Sequence, residues 1–127
     1  MEDNGTIRSF EGGATRDTGQ NKYTPWKFGS AVIRWFYAQY MHDNRKQSDG
    51  STRDGANWKK GIPIDVYYDS LDRHYQDVMA RREELITEKD QITNLCALKF
   101  NVDGLIHELG KERIDSYGGA IIKWYED

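Results

Sequence analysis

Ser70, His74 and Asp77 are spaced four and three residues apart. On a helix that spacing puts them within about 60° of one another, on the flank of an apolar face. The set offers a hydroxyl, an imidazole that titrates near neutrality and a carboxylate, with His74 placed to act as a general base or to hold a phosphate oxygen. A second polar stripe, Asp90, Asn94, Ala97, Asn101, Gly104 and Glu108, alternates steps of four and three and occupies one face of another helix. If the two helices pack antiparallel, the flanks face each other and Asp77, Asp90 and Glu108 supply hard oxygen ligands for Mg²⁺ or Mn²⁺. Asp69 and Arg73 fall on the opposite side of their helix, as a surface ion pair.

The connection between Asn44 and Gly61, "NRKQSDGSTRDGANWKKG", has a different chemistry. Arg45, Lys46, Arg53, Lys59 and Lys60 outnumber Asp49 and Asp54, for a local net charge of +3. Arg53, Lys59 and Lys60 with the Trp58 ring could grip a nucleotide, the cations taking phosphate and the indole the base. The competing reading makes Trp58 an apolar anchor for a long loop and leaves the lysines in solvent. "EGGATRD", Glu11 to Asp17, carries two glycines that could turn backbone amides toward an anion. No Walker-type, Rossmann-type or nucleophile-elbow motif is present.

Three helices are expected to carry these groups. The first starts at Pro25 and places Phe28, Val32, Trp35, Phe36 and Tyr40 at helical spacing, with Ile33, Tyr37 and Met41 forming a second row that would bury it on most sides. The second begins near Pro63, with Asp65 well placed for the helix dipole and Ile64, Tyr67, Leu71, Tyr75 and Val78 on one face. The third runs from about Asp90 to Leu109 with a core row of Leu95, Leu98, Val102, Leu105, Ile106 and Leu109. The tail around Ile121, Ile122, Trp124 and Tyr125 fits a short fourth helix or a strand. Residues 1–24 read as an irregular N-terminal arm and residues 25–127 as a single helical domain, so the class is mainly α, a small bundle of three or four helices with a long central loop.

Composition narrows the function. A net charge of −3 argues against general nucleic-acid binding through a broad basic surface. No apolar run approaches the ~20 residues of a membrane span, and the start of the chain lacks an export signal. The single cysteine, Cys96, fits a small buried hydrophobe in a reducing cytoplasm. The aromatic density from Trp26 to Tyr40 exceeds what a small monomer needs, so a homo-oligomer is expected.

"FEGGATRD" at Phe10 to Asp17, "NWKKGIP" at Asn57 to Pro63, "DSLDRH" at Asp69 to His74 and "LCALKFNVDGLIHEL" at Leu95 to Leu109 occur in this order. Together they resemble the phage and prophage family described as dATP/dGTP diphosphohydrolase N-terminal-domain proteins. The resemblance implies a small helical domain associated with purine deoxynucleotides, related to helical, Mg²⁺-dependent nucleoside triphosphate pyrophosphohydrolases, in the host-cell cytoplasm if phage-encoded. The residues it carries over are Arg16, Asn57, Trp58, Gly61, Asp69, Arg73, His74 and Asn101. The chain departs from the pattern just before the last helix core, where the family commonly has an acid and here Thr93-Asn94 stands, with Asp90 one turn earlier as its substitute.

Three functions follow from these readings. One is an enzyme that cleaves a purine (d)NTP to (d)NMP and pyrophosphate. Its metal would sit on Asp77, Asp90 and Glu108, His74 and Asp77 would be catalytic, and Lys59, Lys60 and Arg73 would neutralise phosphate. The second is a nucleotide binder that does not cleave, which the missing acid at Thr93 favours. The third is an oligomeric interaction protein without nucleotide chemistry.

Overall fold

The computed structural model describes residues 7–17, 24–116 and 120–121. The chain divides into two compact units, one running from Gly29 to Lys111 and the other made of the segments on either side.

In the flanking unit, β1 (Ile7–Ser9) and β2 (Thr15–Asp17) pair antiparallel, Ile7 opposite Asp17 and Ser9 opposite Thr15. Residues 7–17 of the N-terminal arm are therefore a hairpin. Its turn closes through the Gly13 amide, which donates to the Phe10 carbonyl at 2.9 Å, and the Phe10 amide, which donates to the Ala14 carbonyl at 2.9 Å. Gly13 has φ +91, a backbone conformation that only glycine adopts without strain. Pro25–Phe28 form a separate 3₁₀ turn.

The helical unit contains α1 (Ala31–Asp43), α2 (Ile64–Arg82) and α3 (Gln91–Gly110). Helix α1 does not begin at Pro25. Ser30, in extended conformation (φ −121, ψ 130), caps it by accepting from the Ile33 amide at 3.4 Å, and Ser is among the best residues for that position. The central loop folds on itself where Lys46 pairs with Thr52, then makes a 3₁₀ turn over Asn57–Lys60. Beyond α3, a short 3₁₀ turn leads to β3 (Ile114–Ser116), which pairs antiparallel with β4 (Ala120–Ile121). The tail is thus strand at Ile121, while Ile122, Trp124 and Tyr125 lie outside the described residues. The class is mainly α, with three α-helices and two short two-stranded antiparallel sheets among the described residues.

Helices α2 and α3 form an antiparallel hairpin. At one end the Gln91 side chain donates to the Val78 carbonyl and Arg81 Nε to the Lys89 carbonyl, each at 3.0 Å. At the other, the Ile62 amide approaches Glu108 Oε1 at 3.4 Å. Between them the Tyr67 ring, 1% exposed, lies against Gly104 with Phe100 tilted beside it at 5.9 Å. A methyl added at Gly104 would overlap that ring, so this position needs glycine for the closeness of the helices. The buried side of α3 is Asn94, Ala97, Asn101, Gly104 and Leu105, together with Cys96.

This corrects the expected core in two places. The stripe with small and amide side chains faces inward, while Leu95, Val102, Ile106 and Leu109, assigned to the core by their hydrophobicity, are exposed. Helix α1 is not buried on most sides either, since none of its residues is buried. It meets α3 at Tyr37, whose ring holds the Lys99 ammonium 4.3 Å above its centre, and Lys99 also pairs with Asp103. Among the described residues no helix is long and apolar enough to cross a membrane.

Candidate nucleotide cleft

Within the helical unit, the end of α1, the central loop and the inner faces of α2 and α3 enclose a cleft of about 270 Å³. Helix α1 contributes Tyr40 and Met41; the chain after it, Asn44 and Arg45. The loop adds Arg53, Asp54, Gly55, Asn57, Trp58 and Ile62. Ser70 and His74 come from α2, and Ala97, Phe100 and Asn101 from α3.

Both arginines are held from behind. Arg53 Nη2 donates to the Asn44 carbonyl at 2.7 Å, and the Arg53 amide donates to the Arg45 carbonyl at 2.9 Å. Arg45 Nε donates to the His42 carbonyl at 3.0 Å. A guanidinium has five donors, so each keeps others for an anion. The one acid in the lining, Asp54, turns a carboxylate oxygen back to the Ala56 amide at 3.2 Å. The Tyr40 hydroxyl is kept protonated mainly by burial, with Cys96 adding to the effect and Arg53 opposing it.

The 3₁₀ turn over Asn57–Lys60 turns Trp58 toward α3, where its ring meets His107 edge-on at 4.8 Å. Lys59 curls over the same indole, its ammonium 5.6 Å from the ring centre. Trp58 therefore anchors the loop, as the apolar-anchor reading expects, and also lines the cleft. Asn101, 3% exposed, donates from its side chain to the Ala97 carbonyl at 2.9 Å, which fixes the orientation of its amide.

On α2, His74 Nδ1 lies 3.8 Å from Asp77 Oδ2. Burial holds the imidazole below its ordinary pKa of 6.5; Asp77 opposes this, and Lys89 and Arg73 add to it. The ring is therefore neutral at physiological pH, an acceptor or donor rather than a fixed cation.

Of the residues singled out in the sequence, Arg53, Asn57, Trp58, Ser70, His74 and Asn101 meet in this cleft. Lys59, Lys60, Arg73 and Asp77 are not in its lining, and Arg16 sits on β2, outside the helical unit. Tyr40, Arg45 and Phe100 complete the cleft without having been singled out as ligands. Arg45 was visible in the positive charge of the loop, but nothing local in the sequence pairs the end of α1 with Phe100.

The proposed metal set is not assembled. Asp90 is the N-cap of α3 and Glu108 lies in its last turn, about 27 Å apart at the helical rise. Glu108 is instead bound by Lys111 Nζ at 2.8 Å, and its carboxyl is held below its ordinary value, chiefly by that bond. Among the described residues no group of three His, Cys, Asp or Glu side chains is placed to hold a metal ion. Asn94 is 1% exposed and donates to Gln91 Oε1 at 3.3 Å. A neutral amide there suits burial, whereas a carboxylate would need a paired cation.

No family model, curated protein or solved structure matches the chain. The cleft must be read from its own chemistry. It pairs two guanidiniums with Trp58, Tyr40 and Phe100 and with the side-chain amides of Asn44, Asn57 and Asn101. That combination offers charge-assisted donors to oxyanion oxygens, aromatic faces to a flat ring and amides to polar ring edges.

Proposed function

We propose that this protein binds a purine nucleotide in the cleft between α1, the central loop and the α2–α3 hairpin. The observation that carries this reading is the convergence of Arg45 and Arg53, both held from behind, with the Trp58 and Phe100 rings and the Asn57 and Asn101 amides. The ordered resemblance to dATP/dGTP diphosphohydrolase N-terminal-domain proteins supports the same ligand class, and eight of the cleft residues lie in its motifs. Binding stands ahead of hydrolysis to (d)NMP and pyrophosphate. Cleavage with Mg²⁺ or Mn²⁺ needs carboxylates gathered at one point, and Asp77, Asp90 and Glu108 are spread along two helices. The same reading makes the protein a homo-oligomer, supported by the amount of apolar side chain exposed on the helical unit.

The test is calorimetry with purine and pyrimidine mono-, di- and triphosphates, with and without Mg²⁺, alongside an assay of pyrophosphate release. A purine nucleotide is expected to bind without turnover, and Arg53→Ala or Arg45→Ala is expected to weaken it at least tenfold, the loss of a charge-assisted contact. Trp58→Ala should weaken every nucleotide with the same base alike. Absence of binding at millimolar nucleotide would end the proposal, and turnover lost with His74→Ala would move it to the enzyme reading.

A further inference from the structure

An apolar face that the cleft leaves unexplained lies on the far side of the α2–α3 hairpin. Along α3, Ile92, Leu95, Lys99, Val102, Ile106 and Leu109 are spaced 3-4-3-4-3, the a and d positions of a heptad. Five of the six are large apolar residues, and all five are exposed, Ile106 to 65% and Leu109 to 54%. Taking rotation about the helix axis at about 100° per residue, this row lies on one side of the buried Asn94–Gly104 stripe and the cleft residue Phe100 on the other. On α2, Ile64, Tyr68 and Tyr75 are also exposed, and they too lie on the side of Tyr67 away from the cleft residues Ser70 and His74. Because the two helices run antiparallel, both rows open onto the same side of the hairpin.

We propose that this two-helix face is the interface with a second copy of the same chain. In it, α3 lies antiparallel to α3 of its partner and α2 antiparallel to α2, which makes a four-helix bundle with one two-fold axis. Three observations on this face argue for that occupant. The first is area: the eight exposed apolar side chains leave on the order of 750 Å² uncovered per copy, close to the ~800 Å² per partner of a standard specific interface.

The second is symmetry. The α3 row is centred between residues 100 and 101, and the α2 row, Ile64 to Tyr75, between residues 69 and 70. Ile62 lies at Glu108 and Tyr67 at Gly104, so residue 70 of α2 is at the level of residue 101 of α3. One axis therefore serves both rows, as an isologous interface requires. It sets Ile92 against Leu109, Leu95 against Ile106 and Lys99 against Val102.

The third is the single charge in the row. A parallel pairing would stack Lys99 on its own copy, whereas the antiparallel one puts it against an apolar side chain. Its ammonium is already held to the side by Asp103 and the Tyr37 ring, so only the aliphatic stem enters the seam.

The experiment is sedimentation and light scattering of the full chain, with disulfide trapping. The wild type is expected to be a dimer. Ile106→Glu, at an exposed position, should raise the dimer dissociation constant at least a hundredfold with an unchanged far-UV circular dichroism spectrum. Trp35→Glu, on the exposed side of α1, should leave the dimer intact. In a Cys96→Ala background, Val102→Cys next to the axis should cross-link to its own copy. Ile92→Cys should not, and should do so with Leu109→Cys in the partner. A monomeric wild type at tens of micromolar, as when another part of the chain covers the face, would overturn the proposal. So would a dimer broken by Trp35→Glu but not Ile106→Glu, or Ile92→Cys self-trapping, the mark of a parallel pair.

Discussion

His74 carries the pH dependence of the cleft. Its folded pKa lies below the ordinary 6.5, mainly because the ring is partly buried. The unfolded chain therefore takes up the proton more readily than the folded one. The stability tied to the neutral ring is complete above about pH 6.5 and is lost as the pH falls through the lower, folded value. Urea unfolding at about pH 7.5 and about pH 5.5 should show a larger acid loss for the wild type than for His74→Asn; equal losses would mean that burial does not govern this imidazole. A charged His74 would also add a cation beside Arg45 and Arg53, so protonation should favour an anionic ligand even as it disfavours the fold. The sequence pointed to His74, Trp58 and Asn101 singly. It did not show that Asp77, one turn beyond His74, stands outside the lining while Ser70, one turn before it, is inside.

At the scale of elements, the seam between α2 and α3 is decided by size more than by hydrophobicity. Tyr67 is buried with no hydrogen-bond partner for its hydroxyl among the described residues, and Gly104 makes room for its ring. Replacing Gly104 by Ala would add about 1 kcal/mol of helix propensity, but the added methyl meets an aromatic ring already packed on Phe100, and overpacking of this kind costs about 1–3 kcal/mol. Net destabilisation of up to about 2 kcal/mol is expected in chemical denaturation; a stabilised Gly104→Ala protein would show that the helices can part freely. The three helices and the approximate limits of α2 and α3 were legible, because the apolar period of 3.6 and the Pro63 and Asp90 boundaries are local signals, whereas α1 starts at Ala31 behind the Ser30 cap and not at Pro25. The inward face of α3 was not. The most apolar row was assigned to the core, yet close approach around Tyr67 selects Asn94, Ala97, Asn101 and Gly104 instead.

For the molecule as a whole, the two readings assign opposite sides of one hairpin, the cleft on one and the face that meets a second copy on the other. Since a dimer binds the folded state and not the unfolded one, its melting temperature depends on protein concentration. The wild type is expected to melt several degrees higher across a hundredfold rise in concentration, and Ile106→Glu to melt at one temperature throughout. A concentration-independent wild type would contradict the paired state. Nucleotide binding should persist in the Ile106→Glu monomer, because every residue of the cleft belongs to one chain.

Sequence alone determined the helical class and the approximate limits of α2 and α3, because these rest on local spacing and side-chain chemistry. It also held the means to reject a shared metal on Asp90 and Glu108, which helical rise separates by about 27 Å. Only the tertiary structure decided which face of α3 turns inward and which basic residues reach the cleft. Arg45 and Arg53 do, while Lys59 turns onto Trp58 and Lys60 stays outside the lining. The reason is that periodicity ranks the faces of one helix by hydrophobicity, whereas packing chooses among them by the shape of the neighbour. For α3 that neighbour is Tyr67, a residue more than twenty positions away in the chain.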